Sequence, residues 1–169
     1  MPRLNPVDVA ALTGRAKELL EGIRKKRGYL PPLFLTLANS PSALGGYLAF
    51  GGALASGSLS AQLRERISIA VAATSDCPPC LEAHTTYGRE AGLSEEELAA
   101  ARDYASADPL AAAALRFARA VQETRGQVPD AEMAAARAAG LGDAHMVEVA
   151  ALVAVNLFSN YVNNLARHE

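Results

Sequence analysis

Three times in this chain a residue able to cap a helix stands directly before a proline: Asn5-Pro6, Ser40-Pro41 and Asp108-Pro109. Proline at the first helical position gives up an N–H that has no acceptor there, and its fixed φ already suits a helix. Each pair therefore marks a helix start, and these starts, with glycines at the stops, constrain the fold more than any other feature. Asn5-Pro6 opens an amphipathic helix ending near Arg27-Gly28, before the break at Leu30-Pro31-Pro32 and a short apolar segment, Leu33 to Ala38. The helix from Ser40-Pro41 is loosened by Gly45, Gly46, Gly51 and Gly52, which would permit close approach of another backbone. Ser60 caps a helix to about Thr74, and the next runs from Asp76 to about Ala91 with Gly92 as its stop. Ser94 to Glu97 reads as a capping box. Asp108-Pro109 opens an Ala-rich helix to Glu123, Asp130 caps one closing at Gly140, and Asp143 opens a last helix through Asn156 that continues or kinks into Tyr161–Leu165.

Much of the apolar half of the chain is Ala, the best helix former, and no alternating Val/Ile/Thr run argues for a strand. The prediction is an all-α, single-domain helical bundle over 1–169, built on antiparallel helix hairpins. Its N-terminal helix spans about 5–27 and its core 30–166, a length that suits one buried core. The stretches EAGLSEEEL and AAGLGDAHM share a helix end, a Gly stop and a new cap, a joint that recurs in helical proteins without implying an internal repeat. A net charge of −2 with scattered basic residues leaves no electrostatic footprint for nucleic acid and no polybasic membrane patch. MPRLNPVDVAAL lacks the apolar run of a secretory signal. The longest apolar run, Val149–Phe158, is interrupted by Asn156 and falls short of the roughly 20 residues of a membrane span. A cytoplasmic, reducing setting is expected, where a cysteine pair is more often catalytic or metal-binding than structural.

Both cysteines lie in DCPPCLEAH, Asp76 to His84. With Asp76 as N-cap, Cys77, Pro78 and Pro79 occupy the first three helical places and Cys80 donates the first full helical bond. The prolines remove two N–H donors near Cys77, leaving the helix dipole and the Cys80 N–H to favour its thiolate, so a moderately acidic Cys77 is expected. Helical residues three apart have Cβ atoms roughly 5–6 Å apart, and slight adjustment brings them to disulfide distance. His84 lies one turn beyond Cys80 on the same face, within reach as a base or cationic partner. If the two helices turn near Thr74-Ser75 as a hairpin, Glu65 and His84 stand equidistant from the turn and pair across it, with Ser68 one turn from Glu65. A carboxylate entering so apolar a face is costly unless paired. Glu65, His84 and Cys80 can thus form a proton relay.

Other readings of the same residues stay open. Glu65 can be an exposed charge paired with Arg64 or Arg66. Cys77, Cys80, His84 and Glu65 have the chemistry of four zinc ligands, although structural zinc usually draws ligand pairs from separate loops. The thiols can also be inert and buried, or serve a general thiol–disulfide oxidoreductase or redox sensor. Tyr87, three beyond His84, is either a hydrogen-bond partner or a packing aromatic. His145 and His168 read as solvated surface residues. Asn156, Asn160, Asn163 and Asn164 are odd inside an apolar helix, and amide contacts at a subunit interface would explain them.

A Glu twelve residues before a C-x-x-C that is followed by x-x-x-H resembles the alkylhydroperoxidase D-like branch of the carboxymuconolactone decarboxylase family. The likeness extends upstream through LPPLFLTLANSPSALGGYLAFGGAL and GSLSAQLRERISIAVA and downstream through GLSEEEL, covering residues 30–100 well and the C-terminal helices loosely. The resemblance implies an all-helical homotrimer or homohexamer that reduces organic hydroperoxides without a cofactor. Carried over by position, Cys80 would be the peroxidatic thiol, Cys77 the resolving one, and His84 and Glu65 the proton relay; helix spacing, rather than the resemblance, sets Ser68 and Tyr87 beside them. The implied reductant is an external dithiol on a lipoyl-bearing partner. The best-known members carry a His just before the second Cys, where this chain has Pro79. The decarboxylase branch lacks the cysteine pair, which argues against decarboxylation.

Overall fold

Among the described residues, 3–167 of a computed structural model, every regular element is helical. After a 3-10 turn at Val9–Ala11 come α1 (Gly14–Arg27), α2 (Pro32–Leu37), α3 (Pro41–Ala55), α4 (Ala61–Thr74) and α5 (Pro78–Glu90). They are followed by α6 (Glu95–Ala101), α7 (Pro109–Thr124), α8 (Asp130–Ala138) and α9 (Asp143–Ala166). Four of the expected caps form as hydrogen bonds: Ser40, Ser60, Ser94 and Asp108 each accept the backbone N–H three residues on, at 2.8–3.3 Å. Each satisfies one of the donors that a helix start leaves without an acceptor. Asp130 and Asp143 instead occupy the first helical position behind Pro129 and Gly142.

Two starts differ from expectation in more than a place. The first helix does not open at Asn5-Pro6. Asp8 accepts the Ala10 N–H at 2.9 Å and winds a 3-10 turn, and Gly14 then takes φ +61°, which no helix interior accommodates. The regular helix begins only there. Nor does Asp76 cap α5. It has φ +48° and ends α4: the Cys77 N–H reaches back to the Ala72 carbonyl at 3.1 Å. That six-to-one closure recurs at Leu93→Gly88 and Leu141→Ala136, around Gly92 and Gly140. Asp is among the few residues other than Gly that enter the left-handed region readily. Cys77 is therefore the N-cap of α5, with Pro78 and Pro79 first and second and Cys80 third.

The centre of the bundle is α4, against which α5, α6, α7 and α9 pack. Ile67, Ile69, Ala70, Val71 and Ala72 are all 0% exposed, and each large one contributes roughly 1.5–3 kcal/mol. The largest core joins α4 to α7, α8 and α9 through Leu115, Val149 and Val153, while Leu20, Phe34 and Leu44 unite α1, α2 and α3. Gly88 lets α5 approach α6: a Cβ there would meet Leu98 Cδ2 at 2.5 Å. Glu97 does not complete its capping box, because its carboxylate pairs with buried Arg66 of α4.

The α3 glycines serve no close approach within the chain, since a Cβ at Gly46, Gly51 or Gly52 meets nothing within 4 Å. Leu44 at the start of that helix is fully buried, but Phe50 is 42% exposed. The 24 residues of α9 run unbroken past Asn156, and by length and composition this helix could cross a membrane. Its Met146, Val149, Leu152, Val153 and Val155 are buried in the core, as in a central bundle helix. Val147, Phe158, Tyr161 and Leu165 form an exposed stripe on its other side.

Candidate active site

Cys77 and Cys80 are joined as a disulfide, Cα–Cα 5.3 Å, at the α4–α5 joint. The backbone sets this up: Cys77 is held by its N–H to α4, and its carbonyl accepts the first bond of α5 from Leu81 at 2.9 Å. Because Cys80 sits third in α5, its N–H belongs to the opening turn, where the helix dipole is most favourable to an anion. The expectation placed that influence on Cys77, which as N-cap stands at the same helix end as Cys80.

The two sulfurs differ in access. Cys77 is 1% exposed and packs against Ala72, whereas Cys80 lines a cleft of about 290 Å³. Apolar walls come from Pro31, Pro32, Leu33 and Phe34 at the α1–α2 corner, Tyr47 of α3, and Pro79 and Ala83 of α5. Glu65, His84, Tyr87, Arg27, Ser159 and Asn163 supply its polar groups.

Glu65 and His84 meet across the α4–α5 hairpin, Oε2 to Nδ1, at 2.8 Å. Their side chains are 20% and 21% exposed, so the pair is partly shielded from water. Neither arginine of α4 competes for Glu65: Arg64 donates to the Leu59 carbonyl and Arg66 pairs with Glu97. A carboxylate only accepts, so in this pair the His84 Nδ1–H is the donor and the ring is oriented by Glu65. Tyr87 stands edge-on to the His84 ring at 5.9 Å and accepts a hydrogen bond from Arg27, combining both roles considered for it. Burial raises the Tyr87 pKa, with the Arg27 charge opposing, and raises that of Tyr47 against the Ser159 hydroxyl. Both phenols stay neutral at ordinary pH.

Ser68 is not drawn into this group. It donates to the Arg64 carbonyl at 2.8 Å and accepts from Asn156 of α9 at 3.1 Å, deep in the core. The asparagines of α9 point inward, and Asn156, Asn163 and Asn164 make hydrogen bonds within the chain. Asn163 donates to Cys80 Sγ at 3.2 Å, and Asn164 donates to the Ser75 carbonyl at 2.7 Å. Asn160 is fully buried with no partner for its amide among the described residues. These contacts replace the subunit-interface reading of the series. His145, expected to be solvated, is half-buried with Nδ1 enclosed; His168 lies outside the described residues.

Against known proteins, the carboxymuconolactone decarboxylase family profile matches residues 41–123, which span α3 to α7. Over that stretch the chain is similar to the family. Within it, the alkylhydroperoxidase D-like branch is the one its fold follows. A peroxidase-related protein of Ralstonia eutropha JMP134 with an alkylhydroperoxidase AhpD core is 28% identical. It superposes with a TM-score of 0.86 over 99% of this chain and 91% of that one. A putative antioxidant defence protein AhpD of Agrobacterium tumefaciens is 21% identical, with a TM-score of 0.70 over 78% and 92% of the two chains. A cysteine-to-alanine variant of the debrominase Bmp8, solved in complex with 2,3,4-tribromopyrrole, shares the fold at 16% identity, with a TM-score of 0.80 over 98% and 90%. No protein of curated function matches the sequence.

Two groups in the cleft, Asn163 and Arg27, were not placed there by the sequence reading. Asn163 gave a signal, a polar residue in an apolar helix, but nothing local says which element that helix crosses. Arg27 gave none, as one of four basic residues closing α1.

Proposed function

We propose that the chain is a thiol-dependent peroxidase for organic hydroperoxides, working through the Cys77–Cys80 dithiol. The observation that carries this is the asymmetry of the pair: one sulfur opens on a cleft that also holds a hydrogen-bonded Glu65–His84 pair, and the other is sealed behind it. In the reduced state His84 Nε2 takes the Cys80 thiol proton while Glu65 orients the ring and supports the imidazolium. The thiolate attacks the distal peroxide oxygen, the O–O bond breaks, and the departing alkoxide takes the proton back from His84. Cys80 is now a sulfenic acid. The Cys77 thiol condenses with it, releasing water and forming the disulfide. An external dithiol then restores both thiols and is itself oxidised.

The cleft suits a slender dithiol arm, such as a lipoyl group, better than a protein surface, because Cys80 is only 6% exposed. That favours a peroxidase over a general protein thiol–disulfide oxidoreductase. Asn163 supplies a polar donor to the sulfur in a site where Pro79 replaces the histidine of the best-known members. The aromatic lining of Phe34, Tyr47 and Tyr87 favours one second reading, reductive removal of bromide from an aryl ring with the dithiol oxidised to the disulfide. Cumene hydroperoxide and a bromopyrrole offered to one reduced preparation, with alcohol and bromide measured, separate the two. Consumption of peroxide by a Cys80→Ser variant at the wild-type rate would remove the assignment. We also propose that a homotrimer or homohexamer covers the Phe50 and α9 stripe, which sedimentation of the purified protein tests.

A further inference from the structure

The peroxidase reading leaves one charged group in the cleft without a task. Three charged or chargeable side chains line it, Arg27, Glu65 and His84, and the last two are paired with each other. Arg27 has no carboxylate partner among the described residues. Its Nη1 donates to the Tyr87 hydroxyl, and its guanidinium carbon lies 5.2 Å from the Tyr87 ring centroid and 5.7 Å from that of Phe34. A long side chain at an exposed rim normally wanders; this one is held between two rings by a hydrogen bond, with donors to spare. Its charge bears on the hydroxyls of both cleft tyrosines.

Position along α5 gives the scale. Cys80, His84 and Tyr87 follow at four and three residues on one face, so Tyr87 lies roughly 10 Å along the axis from Cys80 at ~1.5 Å per residue. Arg27, fixed to Tyr87, marks the end of the cleft remote from the sulfur. Apart from the Glu65–His84 pair, Ser159 and Asn163, the rest of the lining is largely apolar, and the volume of about 290 Å³ lies at the small end of ligand sites.

We infer that Arg27 is an anion anchor, and that the cleft takes a small organic hydroperoxide bearing a carboxylate at the end away from its peroxide. This rests on the peroxidase reading for the reacting end only. The guanidinium fork pairs with a carboxylate through two parallel hydrogen bonds, and the shielding by Phe34 and Tyr87 strengthens that pairing relative to open water. The apolar body then lies against Pro31, Leu33, Phe34 and Tyr47, which fixes the peroxide towards Cys80. Arg27 acts as a specificity residue and takes no part in the proton transfers.

Binding and turnover test it separately. The oxidised protein cannot turn over without a reductant, so it serves for calorimetric titration with 4-isopropylbenzoate and the matched neutral 4-isopropylbenzamide. The carboxylate is expected to bind at least about tenfold more tightly. That preference is expected to vanish in Arg27→Met, to persist in part in Arg27→Lys, and to weaken in Tyr87→Phe, which releases the guanidinium. It should also shrink as salt is raised. Equal binding of the two compounds, no binding of either at millimolar concentration, or a preference that survives Arg27→Met would overturn the inference. In turnover, the para-carboxylate of cumene hydroperoxide should exceed cumene hydroperoxide in kcat/KM, mainly through KM. If both peroxides are consumed with equal kcat/KM, the anchor is wrong and the peroxidase stands. If neither is consumed while the binding preference and its loss in Arg27→Met hold, the anchor stands and the peroxidase reading falls.

Discussion

Replacing Asn163 by leucine removes the side-chain donor observed on the Cys80 sulfur and keeps the same branched heavy-atom skeleton. In the disulfide this amide lies 3.2 Å from Sγ, and the same donor meets the thiolate once the pair is reduced. Hydrogen bonds to charged groups are worth about 1.5–3 kcal/mol. Sulfur is a weaker acceptor than oxygen and the site is partly open, so the low end applies. About 1.4 kcal/mol is a factor of ten in the equilibrium between thiol and thiolate. In a reduced Cys77→Ser background only Cys80 can be alkylated, and its rate with iodoacetamide follows the thiolate fraction. Asn163→Leu should slow that rate about tenfold near neutral pH. The rate should return to the parent value in strong alkali, where every thiol is ionised; a mere block to access would persist there. Asn164→Leu is the control, because its amide serves the Ser75 carbonyl rather than the sulfur. Parent-like alkylation of Asn163→Leu at every pH, or equal slowing in Asn164→Leu, would refute the reasoning.

Other consequences are equally direct. Glu65→Gln should leave the fold intact but cut the peroxide rate constant by about 10²-fold, the low end for a positioned acid–base group, as read by stopped-flow oxidation of the reduced protein. Glu97→Ala strips buried Arg66 of its carboxylate; because Glu97 is 29% exposed, the loss should be about 1–3 kcal/mol in urea melts, below the cost of breaking a fully buried pair. Gly88→Ala forces Leu98 out of its place and should cost about 1–3 kcal/mol as overpacking. The Glu148 pKa is lowered chiefly by the Ser58 N–H, with help from the Leu59 N–H and the Ser58 hydroxyl. A carboxyl group lowered by folding stabilises the native state above its unfolded pKa, and that contribution is lost as pH falls through the folded value. Acid melts of Glu148→Gln should therefore show a shallower loss of stability below about pH 4.5 than the parent; parallel curves would contradict the contact.

The hairpin and its acid–imidazole pair were legible because both follow from local counting. Once Thr74-Ser75 is the turn, Glu65 and His84 must meet, whatever else the chain does. The register at Asp76 was not legible, because Asp serves equally as an N-cap and as a left-handed helix terminator, and only the Cys77–Ala72 hydrogen bond decides which. Asn5-Pro6 failed for a related reason: Asp8 and Gly14 spend the intervening residues on a tight turn, and pattern alone does not rank one start against another. The asparagines of α9 could be noticed but not assigned. Their meaning depends on which face of α9 lies across α4 and α5, a tertiary fact settled by Leu152, Val153 and Val155 finding the core. Arg27 is more remote still, since its role comes from the α1–α2 corner folding over α5.

Cys77 has one peptide group in each of two helices, closing the end of one and launching the other. Cleaving the sulfur–sulfur bond therefore releases no slack in the main chain: the thiol it leaves stays where it was, aimed at its partner. In the proposed cycle, opening and closing this bond would need only side-chain rotations in a fixed frame. On the proposed peroxidase cycle, a reducing dithiol would meet no backbone gate and would reach the outer sulfur through the cleft that Arg27 and Phe34 line.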